Sequence, residues 1–198
     1  MQYLDRMPAA IVQILRPETE EFVGLGFIAP KELVITAAHN LAAPDSGSGL
    51  YDFDAVPIKV SSGHRHVMEP IFVDQCQDVA VLAIHDSDFC EDHHLLELEA
   101  IPLFWGPIVG DQVGSLWTPD RGAIPVKFRM PGGPQLLLDT GSNVSNGTSG
   151  GPILDNTGAA VAVFSMDQGI AGADSYLLSK GPCLSQCLPP WVAKLLRS

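Results

Sequence analysis

The most informative part of the sequence is a serine enclosed by glycines, in the stretch Asn146-Gly147-Thr148-Ser149-Gly150-Gly151-Pro152. The apolar pair Ile153-Leu154 follows it and indicates that the serine enters a strand. Glycines permit positive φ angles and the close approach of another chain, so the N–H groups of Gly147 and Ser149 can point together into solvent. Two such donors suit an oxyanion. The plain alternative is a glycine-rich hairpin with an incidental serine, and a phosphate loop would need a lysine that is missing here.

Two further stretches place a histidine and an aspartate at the edges of apolar strands. The apolar segment Leu33 to Ala37 leads into His39, and Asp78 stands directly before the apolar run Val79 to Ile84. Alone, each residue has an ordinary structural interpretation, as a hydrogen-bonded histidine and a turn aspartate. Together with Ser149 they give the chain order His, Asp, Ser, and each of the three lies at a strand edge beside small residues.

The composition is that of a folded protein without a nucleic-acid or membrane partner. Of 198 residues, 46% are hydrophobic and 17% are charged, which excludes a disordered chain. The net charge of −12, with no cluster of Lys or Arg, would repel a phosphate backbone. The longest stretch without charge, Thr140 to Leu154, is rich in Gly, Ser, Thr and Asn, so we expect no membrane span.

The amino terminus and the cysteine content favour a cytoplasmic location. Residues 1–6 lack the positive region and apolar run of a secretory signal. Four cysteines are too few for a disulfide-rich scaffold, so reduced thiols are the simplest interpretation.

Short apolar segments separated by Gly, Pro, Asp and Asn predict an all-β fold. The predicted strands form two sets of six along the chain. The first set is Ala10–Leu15, Phe22–Ala29, Leu33–Ala37, Val56–Ser61, His66–Val73 and Val79–Ile84, and the second is Gln112–Trp117, Ala123–Met130, Gln135–Asp139, Pro152–Asp155, Ala159–Ser165 and Ser175–Leu178. The segment Pro190 to Arg197 predicts a short helix, because it opens with proline and places Val192, Leu195 and Leu196 on one face.

We therefore expect two antiparallel six-stranded β-barrels followed by a short C-terminal helix. The predicted division is an N-terminal barrel over residues 1–95 with His39 and Asp78, a C-terminal barrel over 96–187 with Ser149, and the helix over 188–198. The acidic segment Asp86 to Glu99 is expected to connect the barrels.

The order of His39, Asp78 and Ser149, and the residues around each, resemble the chymotrypsin-like (trypsin-like) serine peptidases. The resemblance covers nearly the whole chain in a two-barrel pattern. Its matching pieces are Gly24-Leu25-Gly26-Phe27-Ile28, Thr36-Ala37-Ala38-His39, Asp78-Val79-Ala80-Val81-Leu82 and Gly147-Thr148-Ser149-Gly150-Gly151-Pro152. The resemblance implies a serine endopeptidase that needs no metal or cofactor, forms an acyl-enzyme and acts on protein or peptide substrates.

The resemblance also implies a role for each residue. Ser149 would be the nucleophile, and His39 would take its proton as general base and return it to the leaving amine as general acid. Asp78 would fix the imidazole tautomer, with Asp74 as the alternative acid. The backbone N–H groups of Gly147 and Ser149 would form the oxyanion hole.

Some positions depart from the secreted members of the family. Gly24 and Asn40 stand where those enzymes place a disulfide beside the histidine motif, and Thr148 stands where zymogen-activated members carry an aspartate. No Ile-Val-Gly-Gly start occurs, so activation by cleavage is not expected. These features resemble the intracellular bacterial trypsin-like peptidase domains, for which a regulatory domain or an activator protein is a further expected partner.

By the same resemblance, the specificity pocket would be walled by residues 143–146, 164–167 and 174–176. Its predicted substrate-binding residues are Asn143, Asn146, Ser165, Met166, Asp167 and Asp174. Ser165 would bind the substrate backbone. Asp174, if it lies at the pocket floor, would select Lys or Arg before the cut by a charge-assisted hydrogen bond, whereas as a loop residue it would contact only water.

Three alternatives remain open from the sequence. Histidines and cysteines near the connector suggest a metal site, but they lack a paired Cys-x-x-Cys motif, so we expect none; they are Cys76, His85, Cys90, His93 and His94. Cys183 and Cys187 could form a disulfide or a metal half-site near the terminal helix, although buried free thiols are the simpler interpretation. The fold could also serve as a catalytically silent or activator-dependent binding module, or as an esterase with the same machinery.

Overall fold

The computed structural model of the chain describes residues 8–42, 55–84, 98–108, 110–129, 135–141, 144–165 and 183–197. Within these ranges the strands form two closed antiparallel barrels of six strands each, and one helix follows them. The predicted fold class, two six-stranded barrels with a short C-terminal helix, is confirmed.

The N-terminal barrel closes through pairing of its first and fourth strands. Its strands are β1 (Ile11–Leu15), β2 (Phe22–Ala29), β3 (Leu33–Thr36), β4 (Val56–Lys59), β5 (Arg65–Asp74) and β6 (Val79–Ile84). They lie in the order β1-β2-β3-β6-β5-β4, and Ile14 of β1 pairs with Ile58 of β4. Alternate apolar residues fill the interior, as in β4, where Val56 and Ile58 are buried and Pro57 and Lys59 are partly exposed.

The C-terminal barrel closes through pairing of β7 and β10. Its strands are β7 (Val113–Thr118), β8 (Gly122–Arg129), β9 (Gln135–Asp139), β10 (Pro152–Leu154), β11 (Ala160–Phe164) and β12 (Cys183–Cys187). They lie in the order β10-β11-β12-β9-β8-β7. The strand β12 was not predicted from the sequence, and the strand predicted at Ser175–Leu178 lies outside the described residues. The predicted boundary between the barrels at residues 95 and 96 also lies outside them.

An apolar cluster joins the barrels to each other and to the helix α1 (Pro190–Arg197). Leu25 and Phe27 of the N-terminal barrel pack in one cluster with Trp117 and Val163 of the C-terminal barrel and with Val192 of α1. The two barrels therefore share a hydrophobic core along the seam between them.

The helix α1 also contacts the N-terminal barrel directly. The ring of Trp191 lies 4.1 Å from that of Phe72 in β5, and its Nε1 donates a hydrogen bond to Asp74 at 3.3 Å. None of the helices in the described ranges is long and apolar enough to cross a membrane.

Candidate active site

His39 and Asp78 meet where β3 ends and β6 begins. The pairing of Thr36 with Ala80 brings these two strand ends together, and a single 3-10 turn, Ala38–Leu41, then carries His39. His39 Nδ1 lies 2.7 Å from Asp78 Oδ2, and the His39 backbone N–H donates to Asp78 Oδ1 at 2.8 Å. The aspartate therefore holds both the ring and the main chain of the histidine.

Asp78 is ionised in this environment. Burial alone would raise its pKa, but the hydrogen bond and the charge interaction with His39, together with a hydrogen bond from Ser165, hold the pKa below its ordinary value. Ser165 is buried directly after β11, and its hydroxyl donates to Asp78 Oδ2. The Asp78 carboxylate thus accepts hydrogen bonds from both barrels, from His39 in the N-terminal one and from Ser165 in the C-terminal one. Because 87 positions separate Ser165 from Asp78, this contact could not be read from local sequence.

Asp74, the alternative acid, is engaged elsewhere. Its carboxylate accepts from the backbone N–H of Gln77 at 2.9 Å and from the Trp191 indole. Of the two candidate acids, it is Asp78 that the structure brings to His39.

Ser149 lies in a tight loop that leads into β10. Gly150 N–H donates to the Phe164 carbonyl at 2.7 Å, and Phe164 N–H donates to the Gly151 carbonyl at 2.8 Å, so β11 holds the loop from both directions. Ser149 is only 8% exposed. Among the described residues, no acceptor takes the N–H of Gly147 or of Ser149. An oxyanion hole requires two main-chain donors of this kind.

The seam between the barrels passes through the Ser149 carbonyl. It accepts from Leu25 N–H at 2.7 Å and from Asn40 Nδ2 at 3.0 Å, and both donors belong to the N-terminal barrel. Ser149 is thereby placed beside the turn that carries His39. Within the described part of the chain, the Ser149 hydroxyl and the His39 ring make no hydrogen bond to each other. Such contacts are often long in resting enzymes and tighten when substrate binds.

A chain of hydroxyl groups supports the serine loop from behind. Thr148 is buried, and its Oγ1 donates to the Ser145 carbonyl at 2.8 Å. The Ser145 hydroxyl in turn donates at 2.6 Å to Asp120, in the turn between β7 and β8. This hydrogen bond is the main cause that lowers the pKa of Asp120. Thr148 was singled out from the sequence only for the aspartate it replaces, and Asp120 carried no sequence signal.

Most predicted pocket residues cannot be placed. Asn143, Met166, Asp167 and Asp174 lie outside the described residues, and Asn146 is exposed at the turn before Gly147. The strand β11 pairs with β10 on one edge and with β12 on the other, where Ser185 lies opposite Phe164. The role of Asp174 at the pocket floor stays a prediction.

The described residues contain no group of three or more His, Cys, Asp or Glu side chains that could hold a metal. Cys76 is an exposed free thiol, whereas His85, Cys90, His93 and His94 lie outside the described ranges. Cys187 is a free thiol whose pKa is raised by burial. Cys183 stands four positions before it on the same extended strand, too far away for a disulfide.

Comparisons with known proteins identify the architecture. No protein-family model and no curated protein matches the sequence. Among solved structures, the active form of the Rv3671c protease from M. tuberculosis matches with a TM-score of 0.65 at 20% identity, over 99% of this chain and 83% of that one. This chain has the chymotrypsin-like serine peptidase fold. Two further structures with this fold are a serine endoprotease from Yersinia pestis, with a TM-score of 0.63 at 19% identity, and the HtrA-type protease AlgW solved with a decapeptide, with a TM-score of 0.63 at 15% identity.

The matched structures are longer than this chain. This chain aligns over 100% and 99% of its own length with the Yersinia and AlgW structures, but it spans only 66% of each of those chains. The likeness is therefore one of fold, and it covers both barrels of this chain.

Proposed function

We propose that the chain is a serine endopeptidase in which Ser149, His39 and Asp78 form a catalytic triad. The observation that carries the proposal is the 2.7 Å contact between His39 Nδ1 and an ionised Asp78, at the seam that also holds Ser149. The likeness to peptidase structures adds support from the fold.

Each group has a defined task in the proposed reaction. Asp78 accepts a hydrogen bond from Nδ1–H of His39, which leaves Nε2 with a lone pair to take the Ser149 proton. As that proton leaves, Ser149 Oγ bonds to the substrate carbonyl carbon and the carbonyl π pair moves onto oxygen. The resulting oxyanion accepts hydrogen bonds from the N–H groups of Gly147 and Ser149. In other enzymes, loss of one such donor costs about 3 to 4 kcal/mol of transition-state stabilisation.

The second half of the reaction reuses the same groups. The oxyanion collapses, the carbon–nitrogen bond breaks, and His39 gives its proton to the leaving amine, so that an ester to Ser149 remains. A water molecule then gives a proton to His39 and attacks the ester. Collapse of this second intermediate releases the acid and returns the proton to Ser149. The ionised Asp78 stabilises the imidazolium in both halves.

The proposed substrate is a peptide or protein. The AlgW structure was solved with a decapeptide, and its shared fold supports an extended peptide as the ligand class. A preference for a basic residue before the cut depends on Asp174 and stays a prediction. Peptides that differ only in this residue test the preference, and equal turnover of the Arg and Ala peptides would exclude it.

One observation favours a second candidate, an activator-dependent form of the same protein. Ser149 and His39 are not hydrogen bonded to each other, so the nucleophile and base still have to be brought together. In that case a regulatory domain or activator protein would act before any substrate.

The experiment is intact-mass analysis after exposure to a fluorophosphonate that reacts with activated serines. We expect a single adduct on the wild type and none on Ser149→Ala or His39→Ala. The two aspartates give a matched pair: Asp78→Asn should slow adduct formation strongly, whereas Asp74→Asn should not. An adduct that survives Ser149→Ala would refute the assignment of the nucleophile, and no adduct on the wild type would favour the activator-dependent candidate.

A further inference from the structure

The side-chain amide of Asn40 contacts three oxygen atoms at the seam between the barrels. It is only 7% exposed, and its Nδ2 lies 3.0 Å from the Ser149 carbonyl oxygen, 3.0 Å from Thr36 Oγ1 and 3.3 Å from the Leu25 carbonyl oxygen. An amide nitrogen has two hydrogens, so one of them is shared between two acceptors. The Thr36 hydroxyl donates its own proton to the Leu25 carbonyl oxygen at 2.6 Å, and it therefore acts as an acceptor for Asn40.

Asn40 is also the residue directly after His39 in the chain. The backbone of His39 is fixed by Asp78 Oδ1, and Asn40 N–H donates to the Ala37 carbonyl at 3.1 Å, so the turn under the imidazole is rigid. The side chain of Asn40 extends from this turn to the carbonyl of Ser149. One residue thus links the backbone position of the base to that of the nucleophile, although the two lie on different barrels.

The space for this amide is provided by Gly24. A Cβ atom at position 24 would lie 2.4 Å from Asn40 Oδ1, so a larger residue there would displace the amide. Gly24 and Asn40 are the two positions at which the secreted enzymes that the sequence resembles carry a disulfide. A disulfide there would join two parts of the N-terminal barrel, whereas the Asn40 amide goes further and reaches the C-terminal barrel.

We propose that Asn40 is a positioning residue that sets the distance between the nucleophile and the base by donating a hydrogen bond to the Ser149 carbonyl. The inference rests on the proposed function and adds a residue to its machinery. Because Asn40 contacts Ser149 through the main chain and is buried, it acts on the reacting hydroxyl without touching the substrate.

The expected signature is a loss in kcat with little change in KM. Removing the amide frees the Ser149 loop to shift, and a displacement near 1 Å at a reacting group can cost about 100-fold in rate. We expect Asn40→Ala to lower kcat by about 10- to 100-fold. Asn40→Asp should lower it at least as much, because a carboxylate of the same shape presents acceptors to three oxygen acceptors.

A double variant separates positioning from simple support of the fold. Gly24→Cys with Asn40→Cys, oxidised and checked by mass, would replace the polar bridge by a covalent one within the N-terminal barrel. It should restore the thermal midpoint that Asn40→Ala loses, but it cannot donate to the Ser149 carbonyl. We expect the oxidised double variant to keep the kcat defect.

The assay is the rate of fluorophosphonate adduct formation together with kcat and KM on a peptide ester, measured well below each variant's thermal midpoint. Wild-type kcat in Asn40→Ala, or in the oxidised double variant, would overturn the inference while leaving the proposed function standing. An unreactive wild type would overturn the inference together with a constitutively active peptidase, and it would favour the activator-dependent candidate. A kcat defect that Asn40→Ala and Asn40→Asp share and the disulfide fails to repair supports the assignment.

Discussion

Replacing Gly150 by alanine should force the two barrels apart where the Gly150 main chain packs against the Leu25 carbonyl. Gly150 has a φ of 87°, and a Cβ atom there would lie 1.9 Å from the Leu25 carbonyl oxygen. Gly158 provides the matched control, because its φ is 85° and a Cβ atom there meets nothing within 4 Å. Both substitutions carry the same left-handed strain, about 1 to 2 kcal/mol.

Gly150 is buried and Gly158 is exposed, and the close approach to Leu25 occurs at Gly150 and not at Gly158. Ordinary van der Waals contact begins at 3.4 Å, so Leu25 must retreat by about 1.5 Å from its place 1.9 Å away. That movement breaks the bonds to the Ser149 carbonyl from Leu25 N–H and from Asn40, which are 2.7 and 3.0 Å long. Two lost hydrogen bonds at about 1 kcal/mol each, and a buried carbonyl left unsatisfied at about 1 to 3 kcal/mol, sum to about 3 to 5 kcal/mol.

Urea unfolding followed by tryptophan fluorescence measures the difference. We expect the free energy of unfolding of Gly150→Ala to lie about 3 to 5 kcal/mol below that of Gly158→Ala. If the two variants unfold within about 0.5 kcal/mol of each other, the seam does not depend on this contact and the reasoning is wrong.

Three further predictions concern the groups around the triad. Asp78 has a pKa below its ordinary 3.8, so the ionised carboxylate stabilises the fold above that pH, and protonation in acid removes this stabilisation. The free energy of unfolding, measured from about pH 5 to about pH 2, should therefore fall more steeply for the wild type than for Asp78→Asn. Ser165→Ala removes one of the hydrogen bonds that lower this pKa and should cut kcat about 3- to 10-fold, and unchanged kcat would show that His39 alone suffices to hold the carboxylate. Thr148→Val keeps the shape but removes the donor to the Ser145 carbonyl, so adduct formation should slow about 10-fold, whereas a normal rate would mean that the serine loop needs no support from behind.

Strands that are continuous apolar runs between turn residues could be predicted to the residue. The observed bounds equal the predicted ones for the helix Pro190–Arg197 and for three strands, which are Phe22–Ala29, Val79–Ile84 and Gln135–Asp139. The strand β12 gave no such signal, because Cys183-Leu184-Ser185-Gln186-Cys187 contains no β-branched or aromatic residue. It is a strand because β9 and β11 pair with it, and such long-range pairing is not encoded in local propensity.

The candidate site also has a part that the sequence predicts and a part that it does not. The three triad candidates stand beside recognisable motifs, so the sequence could single them out. The partners that hold them are distant in sequence, as with Ser165 on Asp78 and Asn40 on the Ser149 carbonyl, which is 109 positions away. Asn40 had a usable signal, since it stands at a disulfide position without a cysteine, but its acceptor could be found only from the folded chain.

The packing of α1 has a consequence for biosynthesis. Val192 is fully buried in the cluster shared by both barrels, and it is made after both of them. While a nascent chain still holds residues 190–197 inside the ribosomal tunnel, Trp117 and Val163 lack part of their apolar covering, and Phe72 lacks its aromatic partner. The seam then exposes hydrophobic surface of the kind that chaperones bind, and this surface is covered only when the helix emerges.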